Sequence, residues 1–267
     1  METTALKAGS ATLTRMLNKV PEVTLYFWII KVLATTVGET AADYLSTTLN
    51  LGTVTTSYVI GGLFVIALLV QLSLKRYVAP IYWIVVVLVS VVGTLVSDNL
   101  VDNLGISLQT TSIIFAAALA AVFTWWWISE KTLSVHEIVT TKRELFYWAA
   151  ILFTFALGTS AGDLASEASG LGYAKSALVF LALIGVTALA YYRFNANGVL
   201  AFWIAYVLTR PLGASLGDLL SQATGDGGVG LGTSITSAAF LTVILALVVY
   251  LTITKRDVIP AAALTAE

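Results

Sequence analysis

Apolar residues follow one another in eight long runs along this chain, and short polar or glycine-containing segments separate the runs. Each run has the ~20 residues that an α-helix needs to cross the hydrocarbon core of a bilayer. The separating segments contain residues that commonly end helices, such as Asn50, Gly105 and Gly227. The pattern predicts an all-α polytopic membrane protein. Its eight predicted transmembrane helices cover residues 22–46, 53–74, 79–103, 107–129, 143–168, 173–193, 198–222 and 233–254.

The composition supports a membrane protein. The chain has 267 residues, of which 58% are hydrophobic and 11% charged, and its mean hydropathy is +0.90. It contains no cysteine, which excludes disulfides, thiolate metal sites and cysteine nucleophiles. The first 21 residues lack the apolar core of a signal peptide, so we expect a polar tail there.

A motif of the form Trp-x9-Gly-x4-Asp occurs four times at identical spacing. We number its positions from the glycine, so that the aspartate is at +5. The first, third, fifth and seventh predicted helices each carry one copy, which indicates four two-helix repeats. Because two helices return the chain to the same side of a membrane, the repeats are expected to be parallel. The copies are Trp28/Gly38/Asp43, Trp83/Gly93/Asp98, Trp148/Gly158/Asp163 and Trp203/Gly213/Asp218, preceded by the aromatic residues Phe27, Tyr82, Tyr147 and Phe202.

The repeats divide the chain into two halves joined by a longer link. Four motif helices around an axis along the membrane normal would fit this spacing, and a two-plus-two arrangement of the halves would fit it equally well. The predicted segments are a cytoplasmic tail (1–21), a first four-helix half (22–129), a cytoplasmic link (130–142), a second four-helix half (143–254) and a second cytoplasmic tail (255–267).

Lysine and arginine residues are concentrated at one end of the predicted helices. By the positive-inside rule this end is cytoplasmic. We therefore expect both termini in the cytoplasm, the bacterial inner membrane as the location, and membrane lipid rather than nucleic acid as a partner. The sequence leaves the oligomeric state open. Eleven residues lie at the crowded end, namely Lys7, Arg15, Lys19, Lys75, Arg76, Lys131, Lys142, Arg143, Arg193, Lys255 and Arg256, whereas Lys175 lies at the other.

Each motif helix has two functional faces. Small residues at positions 0 and +4 allow close backbone approach, so Gly38, Gly93, Gly158 and Gly213 are predicted to pack the helices together. The adjacent face presents oxygen-bearing side chains one turn apart at +1, +5 and +9. Helix rise places each +5 aspartate about 22 Å beyond its tryptophan, in the outer half of the membrane. These stripes are Glu39/Asp43/Thr47, Thr94/Asp98/Asp102, Thr159/Asp163/Glu167 and Ala214/Asp218/Gln222.

The carboxylates on these stripes would repel one another unless they were protonated, hydrated or bound to a cation. The stripes offer only oxygen ligands, which suit hard ions such as Mg²⁺, Ca²⁺ and Mn²⁺. We predict that the four +5 aspartates form an inner metal-binding ring and that Asp102 and Glu167 form a vestibule. The predicted metal ligands are Asp43, Asp98, Asp163, Asp218, Glu39, Asp102 and Glu167, supported by Thr94, Thr159, Gln222 and Arg210.

Two basic residues fall inside predicted membrane helices. Lys31 follows Trp28 by three residues, so its side chain is expected to extend to the inner interface. Arg210 is deeper, and it is expected to pair with a motif acid. It would serve there either as a mobile countercharge when the site empties or as a fixed structural ion pair.

An enzymatic interpretation is not supported by the motifs. Presenilin-type proteases use two intramembrane aspartates in Gly-x-Gly-Asp motifs, but segments 160–163 and 215–218 of this chain lack the first glycine. The sequence contains no recognisable nucleotide-binding loop, zinc-binding helix or nucleophile elbow. We therefore expect a protein that is not an enzyme and has no cofactor.

The chain resembles, over nearly its full length, a bacterial family of integral membrane proteins usually labelled only "membrane-anchored protein". The resemblance extends from Lys19-Val20-Pro21-Glu22-Val23-Thr24 through Arg210-Pro211-Leu212-Gly213-Ala214-Ser215-Leu216-Gly217-Asp218. It implies no particular activity. The motif helices are also similar to the Glu-x-Gly-Asp helices of calcium/manganese exporters, although Glu39 is followed by Thr40 and no Gly-Asp-Lys/Arg-Ser/Thr sequence occurs.

From these observations we expect a membrane transporter that carries a divalent cation outward, with Mn²⁺ or Ca²⁺ as the substrate and protons as a candidate coupling ion. Intramembrane acids commonly mark ion pathways, which favours this function. An organic-cation or proton-coupled solute transporter is the alternative. A non-transporting membrane scaffold or sensor is the alternative from another class.

Overall fold

The computed structural model describes residues 18–258, and within this range the chain forms eight long helices and no strand. The predicted all-α architecture is confirmed. The predicted tails fall largely outside the described part, which excludes residues 1–17 and 259–267. The helices are α1 (Leu25–Asp43), α2 (Thr53–Ser73), α3 (Ala79–Asp98), α4 (Leu108–Glu130), α5 (Thr141–Asp163), α6 (Tyr173–Phe194), α7 (Gly198–Ser221) and α8 (Thr233–Thr254).

Seven of the eight described helices, α2 to α8, are long and apolar enough to cross a membrane. Helix α1 differs because it contains several polar residues, among them Lys31, Thr35 and Glu39. These side chains are buried inside the protein rather than facing outward. The surrounding helices therefore shield the polar side chains of α1 from lipid.

The four motif helices form a closed ring. Helix α1 packs against α3, α3 against α5, α5 against α7, and α7 against α1. The other four helices surround this ring, and each packs along the motif helix of the following repeat: α2 on α3, α4 on α5, α6 on α7, and α8 back on α1. The four repeats are thus related around one axis, which is the ring arrangement that the sequence had left open.

The motif glycines set the distance between neighbouring ring helices. Each glycine packs against the residue three positions before the next glycine in the ring. A Cβ atom added at any of the four glycines would overlap this neighbour, so the backbones can approach this closely only with glycine there. The four glycines therefore lie where neighbouring ring helices make their closest contacts. The pairs are Gly38 with Ser90, Gly93 with Phe155, Gly158 with Arg210, and Gly213 with Thr35.

The fourth repeat ends differently from the other three. In the first three repeats the motif helix continues beyond its aspartate as a π-helical turn, at Tyr44–Thr48, Asn99–Asn103 and Leu164–Ala168. Helix α7 instead ends at Ser221, and Gln222 has an extended backbone with ψ 155°. The side chain predicted at the end of the fourth stripe therefore lies just past the helix.

A buried polar cluster connects the chain's first described residues to the ring. The Lys19 ammonium lies 2.6 Å from a Glu144 carboxylate oxygen, and the Gln71 amide donates to the other oxygen at 2.9 Å. The backbone N–H of Lys19 also donates to the Ile138 carbonyl in the link. The entering chain, α2, the link and α5 are thereby joined at the end of the ring where both described chain ends lie.

A second contact joins the last described residues to the loop before α3. The Tyr77 hydroxyl donates to a carboxylate oxygen of Asp257 at 2.6 Å, and the Asp257 carbonyl accepts from the backbone N–H of Glu22. Burial raises the pKa of Asp257, and the hydrogen bond from Tyr77 acts in the opposite direction by stabilising the carboxylate. Both described ends of the chain are therefore held against the same end of the ring.

Candidate functional site

Side chains at every fourth position of the ring helices point toward the ring axis. Contacts between opposite helices demonstrate this orientation, because Lys31 of α1 reaches Phe155 of α5 and Arg210 of α7 reaches Thr94 of α3. Successive positions therefore form layers of four residues. From the end with the termini, the layers are Phe27/Tyr82/Tyr147/Phe202, Lys31/Val86/Ile151/Tyr206, Thr35/Ser90/Phe155/Arg210, Glu39/Thr94/Thr159/Ala214 and Asp43/Asp98/Asp163/Asp218.

The layer nearest the termini closes the ring with aromatic side chains. The Tyr82 and Tyr147 hydroxyls are 2.5 Å apart and hydrogen-bonded, and both side chains are buried. The Phe27 ring packs against the rings of Trp83 and Phe202 at centroid distances of 5.7 and 6.0 Å. Close aromatic packing of this kind excludes water, so this end of the axis is shut in the conformation described.

Arg210 occupies the centre of the ring, where its guanidinium contacts all three other ring helices. Its side chain is 0% exposed. The Nη2 atom donates to Glu39 Oε2 at 2.9 Å and to Thr159 Oγ1 at 2.6 Å, and it also donates to Thr94 Oγ1. Nη1 donates to the Thr35 carbonyl at 3.4 Å. The +1 positions of the first three repeats together hold the guanidinium of the fourth.

Three carboxylates meet directly beyond this arginine. Glu39, Asp163 and Asp218 each place one oxygen within 4.8 Å of the other two, and they come from α1, α5 and α7. Glu39 therefore contributes both to this cluster and to the ion pair with Arg210. We call these three residues the carboxylate cluster. Because Glu39 and the two aspartates belong to different layers, the cluster does not coincide with the ring of four +5 aspartates that the sequence predicted.

The remaining predicted ligands lie around or outside the carboxylate cluster. Asp43 and Asp98 are half-buried in the +5 layer, and neither belongs to the cluster. Asp102 and Glu167 are exposed, one turn farther out. Glu167 accepts a hydrogen bond from the Tyr173 hydroxyl at 3.4 Å, at the entrance on the acidic end. Their predicted role as ligands or vestibule charges stays a prediction.

The carboxylate cluster has the chemistry of a site for a hard cation. Three carboxylate oxygens at this separation could coordinate one Ca²⁺ or Mn²⁺ ion, with hydroxyls or water completing the shell. Without a bound cation, mutual repulsion is offset in part by Arg210. The cluster and the arginine therefore form one electrostatic unit.

Lys31 lies in a place that the sequence analysis did not anticipate. The expectation that its side chain extends to the interface is wrong, because the side chain is fully buried on the axis. Its ammonium lies 4.0 Å from the Phe155 ring centroid and 4.2 Å from that of Tyr206. One signal could have revealed this, since Lys31 precedes Glu39 by eight residues and thus shares its four-residue stripe.

A family model described as "Repeat of Unknown Function (DUF347)" matches four successive segments that cover most of the chain. The segments are residues 26–77, 81–132, 146–197 and 201–257. The protein belongs to the DUF347 family. Each DUF347 repeat contains one ring helix and the outer helix that follows it, so the repeat unit coincides with the two-helix unit predicted from the motif.

No curated protein and no solved structure matches the chain in the corresponding searches. The likeness to calcium/manganese exporters finds no support in these comparisons. The family match therefore establishes the four repeats and implies no activity. The membrane character follows from the seven long apolar helices among the described residues.

Proposed function

We propose that this DUF347 protein is a membrane transporter that moves a divalent cation, Mn²⁺ or Ca²⁺, and that the carboxylate cluster binds the cation during transport. The observation that carries the proposal is the position of the cluster on the ring axis, beside a buried arginine that shares Glu39 with it. Acidic side chains inside a membrane protein commonly mark an ion pathway. The cation is the substrate in this proposal, and the protein needs no cofactor.

Arg210 provides a mechanism for releasing the cation. A divalent cation bound to Glu39 and the nearby aspartates would repel the guanidinium and compete for the same carboxylate. Binding of the cation and pairing of Arg210 with Glu39 would therefore oppose each other. In the conformation described, Arg210 is paired, which corresponds to the state without cargo. The Arg210 guanidinium then compensates the negative charge of the buried carboxylates in place of the transported cation.

The two ends of the axis differ in a way that suits transport. The aromatic layer shuts the end with the termini, whereas exposed acids line the approach to the cluster from the other end. These acids would concentrate cations at the open end. If the aromatic layer opened while the acidic end closed, the carboxylate cluster would become accessible from the opposite side of the membrane.

We also propose that the shut end faces the bacterial cytoplasm, which makes the conformation outward-open. Nine of the described lysines and arginines support this orientation by the positive-inside rule, whereas Lys175 lies at the acidic end. Reporter fusions after Tyr77, Lys131 and Arg193 are expected to read as cytoplasmic. Fusions near Gly105 and Gly227 are expected to read as external. The reverse pattern would contradict the orientation.

One observation favours the alternative of an organic-cation transporter. The ring already holds a guanidinium through a carboxylate and two hydroxyls, contributed by Glu39, Thr94 and Thr159. A cargo with a guanidinium or amine group could use the same oxygens. We favour the divalent cation because three carboxylates converge beyond Arg210, which is more negative charge than a monovalent cargo needs.

Two variants test the proposed site, one at the end of α5 and one in the π-helical turn that follows it. In liposomes that contain a Mn²⁺-sensitive dye, Asp163→Asn is expected to abolish cation entry because it removes a charged ligand of the carboxylate cluster. Glu167→Gln makes the same chemical change one turn farther out. It is expected to fold, transport the cation and weaken apparent affinity at low salt only, since exposed charges are screened over about 8 Å at physiological ionic strength.

Several results would contradict the proposed function. Equal and salt-independent losses in the two variants would place Glu167 in the coordination shell and remove the distinction between cluster and vestibule. Entry of guanidinium compounds without entry of Mn²⁺ or Ca²⁺ would favour the organic-cation alternative. Failure of Asp163→Asn to fold, with no cation entry in the natural protein, would favour a membrane scaffold.

A further inference from the structure

The surroundings of Lys31 are unusual for a buried cation. Its ammonium is 0% exposed and has no hydrogen-bond partner among residues 18–258. The aromatic faces of Phe155 and Tyr206 lie 4.0 and 4.2 Å from it, measured to the ring centroids. Such faces stabilise a cation by far less than the cost of removing an ammonium from water. The charged form of Lys31 is thus poorly compensated.

The helices packed against Lys31 do not supply a carboxylate near it. Its own layer contains Val86 of α3, Ile151 of α5 and Tyr206 of α7. The next layer contains Arg210, which has the same sign as Lys31. Helix α8 contains no charged residue. Farther toward the shut end, Tyr82 and Tyr147 are hydrogen-bonded to each other. The groups beyond them are also paired, Lys19 with Glu144 and Tyr77 with Asp257.

Glu39 does not compensate Lys31 either. It lies eight residues farther along α1, and its carboxylate is bonded to Arg210. The hydroxyl of Tyr206, which shares the Lys31 layer, also has no partner within the described chain. The axis therefore contains two cations with different environments: Arg210 is hydrogen-bonded through Nη1 and Nη2, whereas Lys31 contacts only aromatic rings.

These two cations differ in their ability to lose charge. A guanidinium stays protonated in proteins, whereas a buried lysine amine can exist in the neutral form. Binding of a divalent cation to the carboxylate cluster adds two positive charges to the same poorly screened axis. Arg210 can respond only by moving away from Glu39. Lys31 can respond by releasing its proton.

We propose that Lys31 is the proton-carrying residue of this protein and exchanges one proton for each divalent cation that enters the carboxylate cluster. The inference rests on the proposed cation transport and assigns its coupling ion and coupling residue. When the cation displaces Arg210 from Glu39, the Lys31 ammonium becomes a neutral amine and its proton passes to solvent at the acidic end. When the cation leaves, Arg210 pairs with Glu39 again and the amine takes up a proton.

The experiment counts protons released during cation binding. Calorimetric titration of the purified protein with Mn²⁺, repeated in buffers of different ionisation enthalpy, gives the number of protons released per cation bound. The natural protein is expected to release about one proton more per bound cation than Lys31→Met, because methionine has no proton to release when the cation binds. Lys31→Arg keeps the positive charge but cannot release it, so it is expected to show the same loss of about one proton.

Two controls separate Lys31 from other proton donors. Tyr206→Phe removes the neighbouring hydroxyl and keeps the ring, and it is expected to leave the proton count unchanged. Protons released by the carboxylates themselves would persist in both Lys31 variants. If Mn²⁺ binds and the natural protein and Lys31→Met release the same number of protons, Lys31 is not the proton-carrying residue. This result would not contradict the proposed cation transport. Absence of Mn²⁺ binding in the natural protein would overturn the proposed function and this coupling with it.

Discussion

Replacement of Arg210 by methionine is expected to lower the free energy of unfolding by about 3–5 kcal/mol. The reason is that Glu39 would keep its charge inside the ring while losing the guanidinium at 2.9 Å. The hydroxyls of Thr94 and Thr159 would lose their shared donor at the same time. Reversible unfolding in mixed micelles, followed by loss of helical signal, measures the change.

The double variant Arg210→Met/Glu39→Gln identifies the cause of this loss. If an uncompensated charge dominates, neutralising Glu39 restores much of the stability that Arg210→Met removes, and the two substitutions show strong coupling in a double-mutant cycle. Glu39→Gln alone leaves the guanidinium with neutral acceptors. Losses that simply add, each below about 1 kcal/mol, would contradict a buried ion pair at the ring centre.

Replacement of Lys19 by methionine is expected to cost a similar amount, about 3–5 kcal/mol. Glu144 is fully buried, and the variant would leave its carboxylate with only the Gln71 amide as a partner. The Lys19 ammonium also donates to the Leu72 carbonyl at 3.1 Å, so that acceptor would be left unpaired as well. The same unfolding measurement applies.

The chain offers a matched control in the ion pair between Lys142 and Glu130. Its N···O distance is 3.1 Å, but the Lys142 side chain is 63% exposed. Lys142→Met is expected to change the free energy of unfolding by no more than about 1 kcal/mol, because an exposed ammonium gains little from an ion pair and Glu130 keeps its pair with Arg143 at 2.9 Å. Equal losses in Lys19→Met and Lys142→Met would show that burial of the Lys19–Glu144 pair does not determine its contribution.

The sequence by itself determined the elements and their repetition. Apolar runs of membrane length predict helices because the length requirement acts on each segment separately. The constant spacing of Trp, Gly and Asp indicated four equivalent helices, and the glycines indicated where their backbones approach. The four-residue spacing of the acids placed them on one face of each helix. Each of these properties can be recognised within one segment or by comparing two segments of the sequence.

The tertiary structure determined which side chains from the four repeats contact one another. Thr35, Ser90, Phe155 and Arg210 occupy the same place in the four repeats, yet only the last side chain is long and charged enough to pair with Glu39 of the neighbouring helix α1. Closure of the ring buried Lys31, which a single amphipathic helix would have left near the interface. Packing between the ring helices determines these contacts, and the spacing of residues within one helix does not specify that packing.

The same limit applies to the acids and to the outer helices. Seven carboxylates share the predicted stripes, but only Glu39, Asp163 and Asp218 form a compact cluster among the described residues. The outer helices pack on the following repeat, with α8 returning to α1, although sequence adjacency alone would allow each to pack within its own repeat. Contacts between segments depend on how the helices are arranged and rotated around the axis, and this arrangement is a property of the whole ring.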